Sequence, residues 1–181
     1  DFIYIKKTDQ PFIKIRCNNP EIPLGEDSII FRTIESLVIN KDIGLDIFID
    51  KRIPLASGLG GGSSNAATML LGINRLLNIK KSPSKLAEIA ASLGMDIPYF
   101  LKRGTVYASE KGEKLFPIKA INPPLNMILI NPGIRISTAW AYEMYDREYG
   151  INKRDYSLRI EEYLKKEKRI KLENIHDVVY N

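Results

Sequence analysis

The amino-acid sequence predicts a mixed fold of the α+β or α/β class, and three observations support this prediction. Segments with apolar–polar alternation, typical of strands, share the chain with segments whose apolar residues recur every three to four positions, typical of helices. The two kinds of segment are interspersed along the chain, which favours a mixed class. Apolar residues make up 44% and charged residues 27% of the 181 positions, proportions of an ordinary globular protein.

The first part of the chain is predicted to form two strands, a helix and a third strand. Strand-like alternation covers residues 1–7, 12–17 and 44–53. Residues 28–39 have helical spacing. Ser28 is a candidate N-cap, because a serine hydroxyl can accept a hydrogen bond from the first helical turn.

Two helices are predicted after the third strand and the glycine-rich segment that follows it. The first covers residues 64–77. The second covers residues 82–94 and has the clearest end signals, with Ser82 at the N-cap, Pro83 in the first turn and Gly94 at the stop.

The last part of the chain is predicted to begin with a β-hairpin over residues 104–118, with its turn near Lys111 and Gly112. Residues 125–133 are predicted to form a buried strand followed by a turn. Further helices are expected over residues 137–145 and from residue 158 onward.

Composition excludes several classes of site. The single cysteine, Cys17, excludes an internal disulfide and disfavours a cysteine-based metal site, and the single histidine, His176, removes most histidine-based triads. No apolar run approaches the roughly 20 residues of a membrane span, and the sequence shows no signal peptide at residues 1–10. We therefore expect a cytoplasmic protein without a membrane partner.

The chain has a net charge of +5, and its clearest cluster of basic residues lies at positions 163–173. Glutamates are interleaved with its lysines, which favours a solvated helix face over the alternative, a nucleic-acid-binding surface. A mild positive balance also suits a small anionic substrate. We therefore expect a small-molecule partner rather than a nucleic acid.

The segment IPLASGLGGGSSNAATMLL, residues 53–71, places glycines directly before an apolar helix. Glycines let the backbone approach an anion closely, and a helix N-terminus attracts phosphate. The hydroxyls of Ser63 and Ser64 can cap the helix, hold phosphate or ligate Mg²⁺. Neither a Walker A lysine nor a dinucleotide fingerprint is present. The segment is interpreted as a phosphate cradle, with a linker or a tight turn as the alternative.

The stretch from Pro54 to Ala67 resembles the ATP-binding motif of the GHMP kinases, in which a proline precedes Gly-Leu-Gly, small residues and Ser-Ser. Residues 93–100, 112–115 and 131–138 resemble further segments of that family in the same order. The resemblance implies the α+β GHMP kinase fold. This fold has an N-terminal ATP-binding α/β domain of the ribosomal-protein-like β-α-β type and a C-terminal α+β domain.

The resemblance also implies a domain division near the two prolines of residues 119–126. We expect the N-terminal domain over residues 1–121 and the start of the C-terminal domain over residues 122–181. The family's N-terminal Pro-Ala-Lys stretch and its C-terminal glycine-rich motif are absent from the sequence. The chain is therefore expected to be a fragment that lacks both ends and is inactive or nearly inactive alone.

The activity that the resemblance implies is phosphorylation of a small-molecule hydroxyl by ATP with Mg²⁺. The triple glycine followed by Ser-Ser-Asn-Ala-Ala is most similar to the branch that acts on a cytidyl-linked methylerythritol in the non-mevalonate isoprenoid pathway. Two alternatives stay open: a GHMP kinase of the homoserine or mevalonate type, and a non-catalytic nucleotide-binding protein.

Site residues are carried over from the matching motifs. Asp96 is expected to be the general base, with an N-cap role as the alternative. Thr138 is expected to contact the substrate or to cap a helix, and Tyr142 to stack on a cytosine ring or to pack in a core beside Trp140. Ser63 is also a candidate Mg²⁺ ligand. The ATP-binding residues implied are Pro54, Leu55, Ala56, Ser57, Gly58, Leu59, Gly60, Gly61, Gly62, Ser63 and Ser64.

Overall fold

A computed structural model describes residues 1–38, 42–110, 112–119 and 126–149. The chain divides into two compact units, Asp1–Lys102 and Arg103–Asn181. The domain division expected at residues 121 and 122 stays a prediction. Among the described residues, no helix is both long enough and apolar enough to cross a membrane.

The first unit contains a three-stranded sheet made of β1 (Phe2–Thr8), β2 (Ile13–Cys17) and β3 (Gly44–Asp50). The strand order is β1-β3-β2, with β1 antiparallel and β2 parallel to the central strand. All three predicted strands are confirmed. The third strand ends at Asp50 rather than at residue 53, because the next residues bond to the side chain of Asp1 instead of continuing the ladder.

The described residues of the first unit also form four helices, one before β3 and three after it. They are α1 (Ile29–Glu35), α2 (Gly61–Leu76), α3 (Pro83–Leu93) and α4 (Ile97–Lys102). Helix α2 contacts β1, and the other three helices contact α2. Alternation along β3 sends Leu45, Ile47 and Ile49 into the core, where they are fully buried. The buried core that these elements share comprises Ile30, Ile34, Leu37, Leu45, Ile47, Ile49, Ala66, Ala67, Met69, Leu70, Ile73, Leu86, Ala90 and Ile97.

Helix ends in the first unit follow the local signals of the sequence. The hydroxyl of Ser28 accepts a hydrogen bond from the Phe31 N–H at 3.1 Å, so it caps α1 as predicted. Ser82 caps α3 in the same way, Pro83 opens that helix and Gly94 follows its last residue. The first helix is shorter than expected and ends at Glu35.

The second unit contains a hairpin of β4 (Val106–Ser109) and β5 (Lys114–Pro117), and the helix α5 (Thr138–Tyr149). The strands are antiparallel, which confirms the predicted hairpin. Lys111, expected at its turn, and the basic segment expected to be helical from residue 158 lie outside the described residues.

The strand predicted over residues 125–133 is wrong for its described part. Residues 126–133 have no regular secondary structure, and Met127, Ile128, Leu129 and Ile130 expose between 72% and 91% of their surface. A strand requires a hydrogen-bonded neighbour. No strand of the described ranges pairs with this segment, so the condition for a strand is not met there.

Candidate active site

The glycine segment, residues 54–64, follows β3 and continues into the first turn of α2. The helix begins at Gly61, three residues before the predicted start at Ser64. Its N-cap is Gly60, whose φ of 66° lies in the left-handed region, and Gly58 has a φ of 72°. Glycine adopts this conformation without the steric penalty of a side chain, which explains why the chain enters the helix through glycines.

The first turn of α2 presents backbone N–H groups without partners. The helix has no side-chain cap, and the first backbone bond runs from the Ser64 N–H to the Gly60 carbonyl at 2.8 Å. The N–H groups of Gly61, Gly62 and Ser63 precede that bond and have no partner among the described residues. Such donors, together with the positive end of the helix dipole, bind anions.

The two serines do not cap the helix, contrary to one of the roles expected for them. They stand at the third and fourth positions of α2, past the point where a cap can act. The Ser64 hydroxyl donates to the Gly61 carbonyl at 2.9 Å. The Ser63 hydroxyl has no hydrogen bond within the described part of the chain, so it is available to a ligand.

The glycines of this segment are of two kinds. A Cβ on Gly60 would lie 2.7 Å from the ring of Phe100, and one on Gly61 would lie 2.9 Å from Lys51 Nζ. Both positions therefore require glycine, because a side chain there would clash with a neighbouring residue. A Cβ on Gly58 or Gly62 would meet nothing within 4 Å. The backbone at these two positions is therefore open to an approaching phosphate.

The loop before the helix is held by a side-chain contact of its own. The Ser57 hydroxyl donates to the Pro54 carbonyl at 2.8 Å. Ala56, between them, has a positive φ of 50°. Leu59 exposes 38% of its surface, although it is a large apolar residue. This arrangement leaves the outer side of the loop accessible to a nucleotide.

Asp96 directly precedes α4, and its side chain is exposed. No hydrogen bond joins its carboxylate to the N–H groups of α4 or to any other described residue, so the expected alternative role as an N-cap is not observed. The helix that follows it contacts the glycine segment through Phe100, whose ring packs against Gly60. The carboxylate thus has no partner in the described part of the chain, and it directly precedes a helix that packs against the glycine segment.

Thr138 and Tyr142 belong to the second unit, on α5. The Ser137 hydroxyl accepts from the Trp140 N–H at 3.4 Å, so Ser137 caps the helix and the alternative cap role of Thr138 is wrong. Tyr142 is 68% and Trp140 52% exposed, so the alternative of a shared core is wrong as well. The tyrosine ring is free to stack on a ligand.

Three residues near the glycine segment were missed by sequence reasoning. Phe100 packs on Gly60, and it stands four positions after Asp96. Asn65 is a buried polar residue in the first turns of α2. Its position between Ser-Ser and Ala-Ala in the sequence could have marked it as part of the site. Lys51 is buried beside Gly61, and nothing in the sequence pattern distinguishes it from an exposed lysine at a strand end.

Burial affects the acid–base behaviour of the Lys51 ammonium. Loss of surrounding water lowers the pKa of Lys51 from its usual 10.5, because it disfavours the charged form. The nearby Cys17 thiol acts in the opposite direction, more weakly.

Residues 28–104 match the model of the GHMP kinases N terminal domain. Over this range the chain is similar to the GHMP kinases. The matched residues run from the cap of α1 to two residues past the end of α4, and so include the whole glycine segment and Asp96.

Curated relatives point to one branch of the GHMP kinases. The chain is 41% identical over 145 residues to 4-diphosphocytidyl-2-C-methyl-D-erythritol kinase of Geobacter sp. (strain M21), covering 79% of this chain and 51% of that protein. It is 37% identical over 171 residues to the protein of that name in Clostridioides difficile (strain 630), covering 92% and 57%. The chain thus spans about half the length of the curated relatives it matches.

A solved structure supports the family fold. The crystal structure of a 4-(cytidine 5'-diphospho)-2C-methyl-D-erythritol kinase superposes with a TM-score of 0.56 and 27% sequence identity, over 78% of this chain and 49% of that one. The expected α+β fold of GHMP kinases is therefore confirmed.

Proposed function

We propose that the whole protein is an ATP-dependent kinase that phosphorylates the 2-hydroxyl of 4-diphosphocytidyl-2-C-methyl-D-erythritol. The observation that carries the proposal is the uncapped first turn of α2, with its open backbone at Gly62, inside the region matched by the GHMP kinase domain. The substrate is taken from the names of the curated relatives. A cytoplasmic location accompanies the proposal, in keeping with a chain that has a single cysteine.

The nucleotide phosphates are bound by the segment from Pro54 to Ser64. The free N–H groups of Gly61, Gly62 and Ser63 donate to phosphate oxygens, and the dipole of α2 favours their negative charge. The positive φ angles of Gly58 and Gly60 turn the loop so that its backbone faces the ligand. Positioning and charge stabilisation of this kind supply most of the catalysis in phosphoryl transfer.

The Mg²⁺ ion that accompanies ATP in such reactions fits an oxygen donor next to the phosphates. Ser63 offers a hydroxyl without a hydrogen-bond partner in the described chain, at the turn that binds phosphate. Mg²⁺ keeps several water molecules and phosphate oxygens as ligands, so few protein groups are needed. When bound, the ion offsets the negative charge of the phosphates.

Asp96 acts as the general base. Its exposed carboxylate accepts the proton of the substrate hydroxyl while the hydroxyl oxygen forms a bond to the γ-phosphorus. The bond between that phosphorus and the bridging oxygen breaks, and ADP leaves. The absence of hydrogen bonds to the carboxylate in the described residues supports this role.

Substrate binding is assigned to the second of two domains, with residues 1–121 forming the nucleotide domain and residues 122–181 the start of the substrate domain. Thr138 offers a hydroxyl at the start of α5, and Tyr142 offers an exposed aromatic face to the cytosine ring. Stacking of a base on an aromatic side chain contributes roughly 1–3 kcal/mol.

The test is an assay of the whole gene product with ATP, Mg²⁺ and 4-diphosphocytidyl-2-C-methyl-D-erythritol. We expect turnover, and we expect Asp96→Asn to lower kcat by about 10²- to 10⁴-fold because the base is removed while its shape is kept. Asp27→Asn, a change of an exposed aspartate outside the site, is the matched control.

Three results would change the proposal. Turnover that survives in Asp96→Asn would leave the kinase in place and reject the base. Phosphorylation of homoserine, with the cytidyl substrate ignored, would assign the protein to another GHMP branch. Binding of ATP without turnover of any such alcohol would favour a non-catalytic nucleotide-binding protein.

A further inference from the structure

We propose that the buried ion pair between Asp1 and Lys51 is a positioning device that holds the glycine segment in its nucleotide-binding conformation. The inference rests on the proposed function. It concerns two residues outside the segment itself, and both side chains are almost completely buried.

The pair is almost completely buried. Lys51 Nζ lies 2.7 Å from Asp1 Oδ2, and the two side chains expose 4% and 2% of their surface. The second carboxylate oxygen of Asp1 accepts hydrogen bonds from the backbone N–H groups of Arg52 and Ile53, both at 2.7 Å. The carboxylate therefore bonds to the side chain or backbone of three consecutive residues after β3.

Lys51 connects the two ends of the loop that precedes α2. Its Nζ donates to the Ile53 carbonyl at 2.6 Å, directly before the loop begins at Pro54. The same Nζ lies 2.9 Å from the place where a Cβ of Gly61 would stand, at the first residue of the helix. One ammonium group thus bonds to the residue before the loop over residues 54–60 and occupies the space where a side chain of the residue after it would lie.

The loop between these two anchors has little internal support. Ala56, Gly58 and Gly60 all have positive φ angles. Among the described residues, the one side-chain hydrogen bond that lies within residues 54–60 runs from the Ser57 hydroxyl to the Pro54 carbonyl. A loop of this kind adopts one conformation only if its ends are held, and ordering it on binding would otherwise reduce affinity for the nucleotide.

Stability alone does not account for the placement of this charge. An ammonium at the N-terminal end of a helix interacts unfavourably with the helix dipole. Buried ion pairs are in general replaced by apolar residues with little loss of stability. The charge becomes favourable when negatively charged phosphates occupy the first turn of α2. We therefore expect the pair to affect nucleotide binding more than substrate binding.

The experiment uses the whole gene product and two variants, Asp1→Asn and Lys51→Met. Asp1→Asn keeps the shape and the acceptor oxygen for the Arg52 and Ile53 N–H groups, and it removes the charge. The matched control is Lys85→Met, which breaks the exposed ion pair between Lys85 and Glu88 on α3. Steady-state kinetics give KM for ATP and KM for the cytidyl substrate, and calorimetry gives the Kd of ADP without reliance on turnover.

We expect Lys51→Met to raise KM for ATP and Kd for ADP by about tenfold, which corresponds to the ordering of one or two groups, and Asp1→Asn to raise them by about threefold. KM for the cytidyl substrate is expected to stay within about twofold in both variants. Lys85→Met is expected to change none of these constants, because an exposed pair contributes little.

Each other outcome contradicts the inference in a distinguishable way. If KM for ATP and Kd for ADP stay at the wild-type values in folded variants, the positioning role is wrong while the kinase proposal stands. If both KM values rise together, the pair is a general structural element. If Lys51→Met does not fold, Asp1→Asn decides alone. If the unaltered protein binds no nucleotide, the proposed function and this inference both fail.

Discussion

The central strand β3 and the segment over residues 126–130 are both rich in isoleucine and leucine, yet their environments are opposite. Ile47 and Ile49 are fully buried, whereas Ile128 exposes 91% of its surface. The strand has a hydrogen-bonded neighbour on each side and helices over its inner face. The other segment pairs with no strand among the described residues. Apolar sequence therefore specifies a buried strand only where partner elements exist.

The largest effect that tests this comparison is expected from the core of the first unit. Ile47→Ala should lower the free energy of unfolding by about 2–5 kcal/mol, because it leaves a cavity in a fully packed core. Ile128→Ala should change it by less than about 0.5 kcal/mol if the segment is exposed in the whole protein. Urea unfolding followed by circular dichroism measures both. A large loss with Ile128→Ala would show that a further part of the protein covers this segment.

A smaller effect is expected where packing and backbone conformation act together, at the N-cap of α2. Gly60→Ala should destabilise the first unit by about 1–3 kcal/mol, because an alanine is strained at a φ of 66° and its Cβ would clash with the Phe100 ring. Gly58→Ala is the control, since it has the same kind of φ but open space. Equal losses of unfolding free energy in the two variants would mean that contact with Phe100 contributes nothing.

The N-cap of α3 contributes to stability through a local hydrogen bond that needs no long-range packing. Ser82→Ala should lower the free energy of unfolding by about 1 kcal/mol, because the Lys85 N–H loses its acceptor at the start of α3. Ser92→Ala, near the other end of the same helix, provides a comparison, because the Ser92 hydroxyl donates to the Ile89 carbonyl within the helix and caps no N–H group. If the two substitutions have the same effect, the cap is not the source of the stabilisation.

The smallest change in the free energy of unfolding is expected at Gly62, where the substitution should stabilise the protein and not destabilise it. Gly62→Ala should raise the free energy of unfolding by up to about 1 kcal/mol, because alanine is favoured over glycine within a helix and its Cβ meets no atom. The same Cβ occupies the open space near the free N–H groups, so Kd for ADP should rise. Thermal unfolding and calorimetry measure the two effects. A variant that is more stable and binds ADP as tightly as before would argue against phosphate at this position.

Much of the candidate site could be predicted from the sequence because its signals are local. The glycine segment, the caps at Ser28 and Ser82, and the hairpin of the second unit all depend on residues within a few positions of one another. The beginning of α2 was predicted three residues late, because glycines have low intrinsic helix propensity. Uncapped N–H groups were correctly associated with the segment, but the serines were wrongly expected as possible caps.

Contacts between distant residues could not be predicted in this way. The bond between Asp1 and Lys51 joins positions fifty residues apart. The packing of Phe100 on Gly60 joins a residue of α4 to the N-cap of α2. No periodicity or motif encodes such pairs, since each depends on where two elements meet after folding.

The sequence by itself determined the mixed fold class, the three strands of the first sheet, the glycine-rich entry into α2 and the resemblance to GHMP kinases. These features depend on short-range patterns of apolar, capping and glycine residues. Only the tertiary structure decided that Lys51 is buried beside the first residue of α2, that the Asp96 carboxylate has no partner among the described residues, and that residues 126–130 are exposed. Burial and pairing arise only when several elements pack together. The physical reason is that the desolvation of a group depends on its neighbours in the folded protein and not on the residues next to it in the sequence.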